Sequence, residues 1–163
     1  MKITIVGLGL IGGCMSIDLR KAGFASELLG VDLNPDHGRR ALDLGLVDRM
    51  ESEEIALAQS DVIILAIPVN TMSAMLPQVL DVVKKDAVVI DTGSTKSMIC
   101  KSVNAHPNRH QFVASHPIAG TENSGPEAAF SGLFLNKTNI ICEHEESSKE
   151  ALERAAQIFP FWE

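Results

Sequence analysis

The residues of this sequence that could do chemistry begin with a glycine-rich run directly after the apolar stretch Ile3 to Val6. In such a pattern a short strand turns sharply into a helix, whose unpaired N–H groups and positive dipole end face a pyrophosphate. A Cβ at the glycine positions would obstruct that approach. The pattern predicts a dinucleotide site, against the simpler alternative of a glycine-rich turn without a ligand. The predicted cofactor-binding residues of the run are Gly7, Leu8, Gly9, Leu10, Ile11 and Gly12.

Asp32 supports the dinucleotide prediction because it ends a second apolar segment, twenty residues beyond the last glycine of the run. A carboxylate there can accept hydrogen bonds from both hydroxyls of the adenosine ribose and would repel a 2′-phosphate, which favours NAD over NADP. Arg39 and Arg40 keep the opposite preference open, since they could hold a phosphate unless a helix beginning near Pro35 carries them on its surface. Asp32 as an ordinary turn residue before Asn34 is the remaining alternative.

His116 is the candidate for proton transfer, because it comes just after a short predicted strand at 112–114 and precedes a proline. The segment from His116 to Pro126 is rich in small and turn residues, so we predict a shaped loop and not the interior of a strand. A neutral imidazole there could accept the proton of a substrate hydroxyl while hydride leaves the same carbon. The other histidines lie in polar segments, are predicted to be exposed and are assigned no role: His37, His106, His110 and His144.

Polar residues beyond the other predicted strands complete the candidate site. Ser94 could orient His116 or the substrate, and Lys96 could supply positive charge to a carboxylate substrate. Glu122 could influence His116 or bind a mobile loop. Each has a purely structural alternative, and Ser94 with Thr95 could simply form the N-cap of a helix over 96–103. Further cofactor contacts are predicted at Ile67, Pro68, Thr92 and Ser94.

The elements that must position these residues alternate between strand and helix through the first ninety residues, the pattern of a parallel sheet flanked by helices. Strands are predicted at 2–6, 27–32, 62–67, 87–91, 112–114 and 138–142. Helices are predicted at 11–22, 35–44, from 52, over 72–83, 96–103 and 147–158, with Met72 and Met75 as core residues. The predicted fold class is therefore α/β, a Rossmann-type doubly wound, mainly parallel sheet that binds ligands at the carboxyl ends of its strands.

Composition limits the class of protein. A chain of 163 residues that is 45% apolar suits one domain, over 1–163, with a sizeable core. The net charge of −7 argues against a nucleic-acid or anionic membrane partner. Cys14, Cys100 and Cys142 are widely spaced and form no C-x-x-C pair, so neither a disulfide framework nor a zinc site is indicated. Without a membrane-spanning run or signal peptide, the expected location is the cytoplasm.

Three motifs, taken in order and spacing, resemble the nucleotide-binding domain of the prephenate dehydrogenase family over essentially the whole chain. They are the glycine-rich run continued to Gly13, the segment from Asp91 to Lys96, and the segment from His116 to Pro126. The third motif is the specific one, because glycine-rich turns are shared widely. The resemblance implies oxidative decarboxylation of prephenate to 4-hydroxyphenylpyruvate with reduction of NAD⁺, on the route to tyrosine.

The resemblance also implies roles for individual residues. His116 would be the hydrogen-bonding partner and proton acceptor of the substrate's ring hydroxyl, Ser94 would assist it, and Glu122 would lie at the site entrance and influence binding. No metal is implied. Similar proteins continue into a mostly helical second domain that forms a homodimer and supplies arginine to the substrate carboxylates. The chain is therefore expected to be truncated before that domain, with Phe159, Phe161 and Trp162 at an uncovered edge.

Three other interpretations stay open at this point. An arogenate dehydrogenase shares the fold and differs only in whether an amino or a keto side chain is recognised. A non-catalytic NAD-sensing module would bind nucleotide without any need for His116. A reductase of the β-hydroxyacid type would need a catalytic lysine on a later helix.

The 163-residue chain alone is expected to bind NAD but to turn over prephenate poorly or not at all. The dianionic substrate would lack most of the cations that hold its carboxylates. A steady-state assay of this chain beside a version extended at its C-terminus measures the difference. Equal kcat/KM values for the two proteins would contradict the expectation.

Overall fold

The computed structural model describes residues 1–158, and within them seven strands form one sheet. The order across the sheet is β3-β2-β1-β4-β5-β6-β7, with β7 antiparallel to β6 and all other neighbours parallel. The prediction of a Rossmann-type doubly wound, mainly parallel sheet is confirmed. The strands are β1 (Lys2–Val6), β2 (Glu27–Val31), β3 (Arg49–Met50), β4 (Val62–Leu65), β5 (Val88–Asp91), β6 (Phe112–Pro117) and β7 (Asn139–Cys142).

Helices connect the strands and lie on both faces of the sheet. The first helix ends before Gly23 and the second before Gly45, which adopt φ angles of 71° and 66°. Glycine is favoured in that left-handed region because it has no Cβ. The α-helices of the described residues are α1 (Leu10–Lys21), α2 (Pro35–Asp43), α3 (Glu53–Gln59), α4 (Val69–Val82), α5 (Ser97–Val103) and α6 (Lys149–Ile158).

The core forms two layers because successive strand residues point to opposite faces of the sheet. Ile3 and Ile5 of β1 pack in one cluster, which contains buried residues of α1 and α6. Ile63 and Leu65 of β4 pack in the other, which contains buried residues of α3, α4 and α5. All four residues of β4 are buried, as expected for a strand covered on both faces.

Several predicted boundaries differ from the structure. Strand β4 ends at Leu65 because the chain turns from Ala66 towards α4, whose first residue is Val69. The two-residue strand β3 was not predicted, since so short a segment carries no apolar pattern. Residues 159–163, and with them the predicted aromatic edge, lie outside the described residues. No helix among residues 1–158 is long and apolar enough to cross a membrane.

The prediction that His116 lies in a loop is wrong. Strand β6 continues to Pro117, and His116 is paired with Ile140 in the antiparallel ladder with β7. The connecting chain begins only at Ile118. The local sequence, rich in small and turn residues, could not reveal this because the partner strand is distant in sequence.

We predict that Gly12→Ala destabilises the fold while Gly9→Ala does not. A Cβ on Gly12 would lie 2.0 Å from the carbonyl oxygen of Gly7, whereas a Cβ on Gly9 would meet nothing within 4 Å. The first variant should reach or exceed the upper end of the about 1–3 kcal/mol typical of overpacked cores. The second should lose no more than about 1 kcal/mol. Urea unfolding of the two variants measures the difference, and equal losses would contradict it.

Candidate functional site

A cleft of about 400 Å³ lies at the carboxyl ends of β1, β2 and β4. Strand β1 leads into α1 on one face of the sheet, and β4 leads into α4 on the other face. Because the chain leaves the two adjacent strands in opposite directions, a crevice opens between them. The cleft brings together five of the predicted cofactor-binding residues: Gly7, Gly9, Asp32, Ile67 and Pro68.

The glycine-rich turn forms one wall of the cleft. A Cβ on Gly7, which has a φ of 92°, would lie 2.4 Å from the carbonyl oxygen of Ala66. Gly9 in contrast has open space beside it and lines the cleft. Helix α1 begins at Leu10, so the N–H groups of its first turn have no acceptor within the helix. This space beside a helix N-terminus fits a pyrophosphate group.

Asp32 connects the glycine-rich turn to the end of β2. Its Oδ2 accepts a hydrogen bond of 2.8 Å from the N–H of Leu8, and its Oδ1 accepts one of 2.8 Å from the N–H of Asn34. The side chain of Asp32 is only 11% exposed and lines the cleft. Each carboxylate oxygen has a second lone pair. The carboxylate can therefore hold the turn and still accept hydrogen bonds from a ligand's hydroxyl groups.

His37 and Met75 also line the cleft, and the sequence analysis missed both. The Nδ1 atom of His37 lies 3.8 Å from Oδ2 of Asp32. The only feature of the sequence that pointed to His37 was its position in the first turn of a predicted helix, shortly after Asp32. Met75 was predicted to be a core residue, but its half-buried side chain lies at the surface of the cleft, whereas Met72 is fully buried.

The two arginines after Asp32 do not line the cleft. Arg39 is paired with Asp36, and Nε of Arg40 donates a hydrogen bond of 3.0 Å to Glu127. Both arginine side chains are largely exposed. The surface interpretation of Arg39 and Arg40 is therefore the one that the structure supports.

The end of β5 carries a buried ion pair. Asp91 is fully buried, and its carboxylate accepts hydrogen bonds from the ammonium group of Lys96 and from the N–H of Gly93 at 2.9 Å. Burial raises the pKa of Asp91, while the charge and hydrogen bond of Lys96 act in the opposite direction. Lys96 is 11% exposed and also donates to the carbonyl oxygen of Ser115. The charge of Lys96 is already paired within the protein, which favours the structural alternative over a role at a substrate carboxylate.

Thr92 and Ser94 follow Asp91 at the same edge of the sheet. The N–H and hydroxyl of Thr92 both donate to the carbonyl oxygen of Leu65, at 3.1 and 3.2 Å, which fastens β5 to β4 beyond the end of the strand. Ser94 is exposed. Helix α5 begins at Ser97 with Lys96 at its N-cap position, so the alternative of an N-cap at Ser94 or Thr95 is wrong.

His116 lies further along the same edge, near the end of β6, and is half-buried. It is on the face of Ala114, which packs in the cluster with α4 and α5. Three strand spacings of about 4.8 Å separate β1 from β6, or roughly 14 Å. His116, Ser94 and Glu122 are thus not lining residues of the cleft, and Glu122 is exposed in the connection after β6.

The remaining histidines are His106, His110 and His144. The His106 side chain is 11% exposed, not exposed as predicted, because its Nε2 lies 3.2 Å from Asp81 and its Nδ1 accepts from Asn108. His110 and His144 are exposed. Across residues 1–158, no group of three or more His, Cys, Asp or Glu side chains is arranged to hold a metal ion.

Comparison with known proteins agrees with this geometry. A family model described as the nucleotide-binding domain of prephenate dehydrogenase matches residues 15–161. The chain belongs to this family. Prephenate dehydrogenase of Bacillus subtilis is 32% identical, over 97% of this chain and 44% of the relative. The family assignment stated from the three sequence motifs is thereby confirmed.

Solved structures of the family show the same fold. Prephenate dehydrogenase from Aquifex aeolicus, in complex with hydroxyphenyl propionate and NAD⁺, has a TM-score of 0.89 and 30% identity. Arogenate dehydrogenase from Synechocystis has a TM-score of 0.88 and 29% identity. In each case 98% of this chain and 56% of the other chain are covered. The chain thus spans about half the length of the relatives that it matches.

Proposed function

We propose that this chain is the NAD-binding part of an enzyme that oxidatively decarboxylates prephenate to 4-hydroxyphenylpyruvate on the route to tyrosine. The observation that carries the proposal is the cleft at the switch point of the sheet, where the open space beside Gly9 and the carboxylate of Asp32 face one cavity. Membership of the family supports the reaction. The NAD⁺ in the Aquifex aeolicus structure supports the cofactor.

The residues around the cleft fit a dinucleotide. The pyrophosphate would lie beside Gly9, against the first-turn N–H groups of α1, where Leu10, Ile11 and Gly12 are located. Asp32 would accept the ribose hydroxyls. Ile67, Pro68, Thr92 and Ser94 then follow in order along the sheet edge from the cleft towards His116. NAD⁺, when bound, supplies the acceptor for the hydride.

His116 would act on the hydroxyl group of the substrate ring. Its imidazole accepts the hydroxyl proton while a hydride departs from the same carbon, so that a carbon–oxygen double bond begins to form. Cleavage of the bond to the ring carboxylate releases carbon dioxide and leaves its electron pair in the ring, which becomes aromatic. The proton can then return to the phenolate oxygen. Ser94 would assist by orienting the imidazole or the hydroxyl, and Glu122 would influence substrate entry.

The two carboxylates of prephenate need positive charge from elsewhere, because Lys96 is already paired with Asp91. We therefore propose that the chain, as the nucleotide-binding domain, works with a second, mostly helical domain that supplies arginine and forms a homodimer. The location proposed for the assembled enzyme is the cytoplasm, and no nucleic acid or metal takes part in the proposed reaction.

His116→Asn should abolish turnover and leave NAD affinity intact. Loss of the proton acceptor is expected to lower kcat by about 10²- to 10⁴-fold, the usual contribution of a general base. The dissociation constant for NAD should stay within about twofold, because His116 lies outside the cleft that binds the nucleotide. The measurements are NADH formation by the enzyme extended with its second domain, and fluorescence titration with NAD.

The matched control is His110→Asn, which changes an exposed histidine shortly before β6. Unaltered turnover in His116→Asn would reject the enzymatic role and favour the NAD-sensing alternative. Prephenate and arogenate are tested as separate substrates. Activity with arogenate alone would reject the proposed keto substrate while retaining the reaction type.

Asp32→Asn should weaken discrimination between NAD and NADP. The change removes the negative charge that repels a 2′-phosphate and keeps an oxygen that can accept from the N–H of Leu8. The ratio of NADP to NAD dissociation constants should fall by about tenfold or more, which corresponds to about 1.4 kcal/mol. Asp36→Asn, at an exposed carboxylate paired with Arg39, is the control. An unchanged ratio in Asp32→Asn would reject the assignment of cofactor preference to this carboxylate.

A further inference from the structure

The backbone ladder between β5 and β6 ends before the second and third sequence motifs, which begin at Asp91 and His116. The paired residues are Val89 with Phe112 and Ile90 with Val113. Two residues beyond Val113, the backbone of Ser115 is bound by side chains. Oδ1 of Asp91 accepts a 3.0 Å hydrogen bond from the N–H of Ser115, and Nζ of Lys96 donates a 2.6 Å hydrogen bond to its carbonyl oxygen. The side chains of Asp91 and Lys96 thus take the place of strand-to-strand hydrogen bonds at the backbone of Ser115.

The ion pair is well suited to hold Ser115 because both of its members are shielded from water. The Asp91 side chain is fully buried and the Lys96 side chain is 11% exposed. Hydrogen bonds to charged groups are stronger than those between neutral groups. A buried ion pair is in general weak evidence of a gain in stability over an apolar pair. Its presence here is better explained by the directed hydrogen bonds that its two members make with one residue.

Strand β7 holds Ser115 from the opposite side. The hydroxyl of Ser115 donates a 2.8 Å hydrogen bond to Oδ1 of Asn139, and Ser115 is paired with Ile141 in the antiparallel ladder. The next residue along β6 is His116. The direction in which a strand side chain points follows from the backbone that carries it, so the contacts on Ser115 also set the direction of the imidazole.

We propose that Asp91 and Lys96 are positioning residues that fix the imidazole of His116 by holding the backbone of Ser115. The inference rests on the proposed role of His116 in proton transfer. It assigns Lys96 to the protein's own backbone and not to a substrate carboxylate. A displacement of His116 by a fraction of a bond length would leave cofactor binding unchanged and slow the chemical step.

The test compares Lys96→Arg with the double variant Asp91→Asn/Lys96→Met in the complete enzyme. The double variant leaves no unpaired buried charge and removes the donor to the carbonyl oxygen of Ser115. Its one amide oxygen can still accept from the N–H of Ser115, whereas the N–H of Gly93 loses its acceptor. We expect kcat to fall about 10- to 100-fold, with KM for prephenate and the NAD dissociation constant within about threefold. Lys96→Arg keeps the charge and should retain kcat within about threefold. Lys101→Met, at an exposed lysine of α5, is the control.

Two kinetic results would overturn the proposal. A large rise in KM with unchanged kcat would show that Lys96 binds substrate, and a double variant with wild-type kcat would show that the pair has no effect on His116. A third measurement needs no substrate. Protein labelled with ¹³C at Cε1 of its histidines gives an NMR signal for the His116 ring, and this signal is assigned by its loss in His116→Asn. It should broaden or split in the double variant and stay single in Lys101→Met. An unchanged signal rejects the positioning role, whereas a broadened or split signal in a protein without prephenate activity rejects only the proposed function.

Discussion

The close approach of the glycine-rich turn to the end of β4 is the constraint on which the cleft depends. Gly7 lies against the carbonyl oxygen of Ala66, and Gly12 lies against the carbonyl oxygen of Gly7. Both neighbours are backbone atoms, which cannot rotate away as a side chain can, so neither position accepts a Cβ. The contacts bring the first turn of α1 directly to the cleft, where Gly9 leaves open space. Two glycines therefore serve packing, and the third lines the open space of the cleft.

Asp32 links this packing to the wall of the cleft. Its carboxylate accepts the N–H groups of Leu8 and Asn34, so the glycine-rich turn and the end of β2 hold the carboxylate in one orientation. The same carboxylate faces the cleft. Because Arg39 and Arg40 are paired with other acids on the surface, the charge on this side of the cleft is set by Asp32 with His37 beside it. One side chain thus supports the glycine-rich turn and also lines the cleft.

The sheet edge around His116 is built from hydrogen bonds between strands. The antiparallel strand β7 covers the edge of β6 and pairs with His116 through Ile140, which gives a histidine near a strand end a fixed backbone. Between this strand and the cleft lie Thr92, which fastens β5 to β4, and the buried pair of Asp91 with Lys96. The cleft and the histidine are therefore separate features of one sheet edge. A ligand that extends across β4 and β5 would connect them.

The amino-acid sequence was enough to predict the sheet class, the order of the α-helices and of every strand except β3, and five of the residues that line the cleft. These follow from local patterns: apolar runs in β1 and β4, the glycine spacing before α1, and an acid at the end of β2. The folded chain was needed to show that His116 lies in a strand and that Lys96 is paired with Asp91. It also showed that His37 and Met75 reach the cleft. Local patterns cannot reveal these features, because each depends on a partner or a cavity that folding brings together from distant parts of the chain.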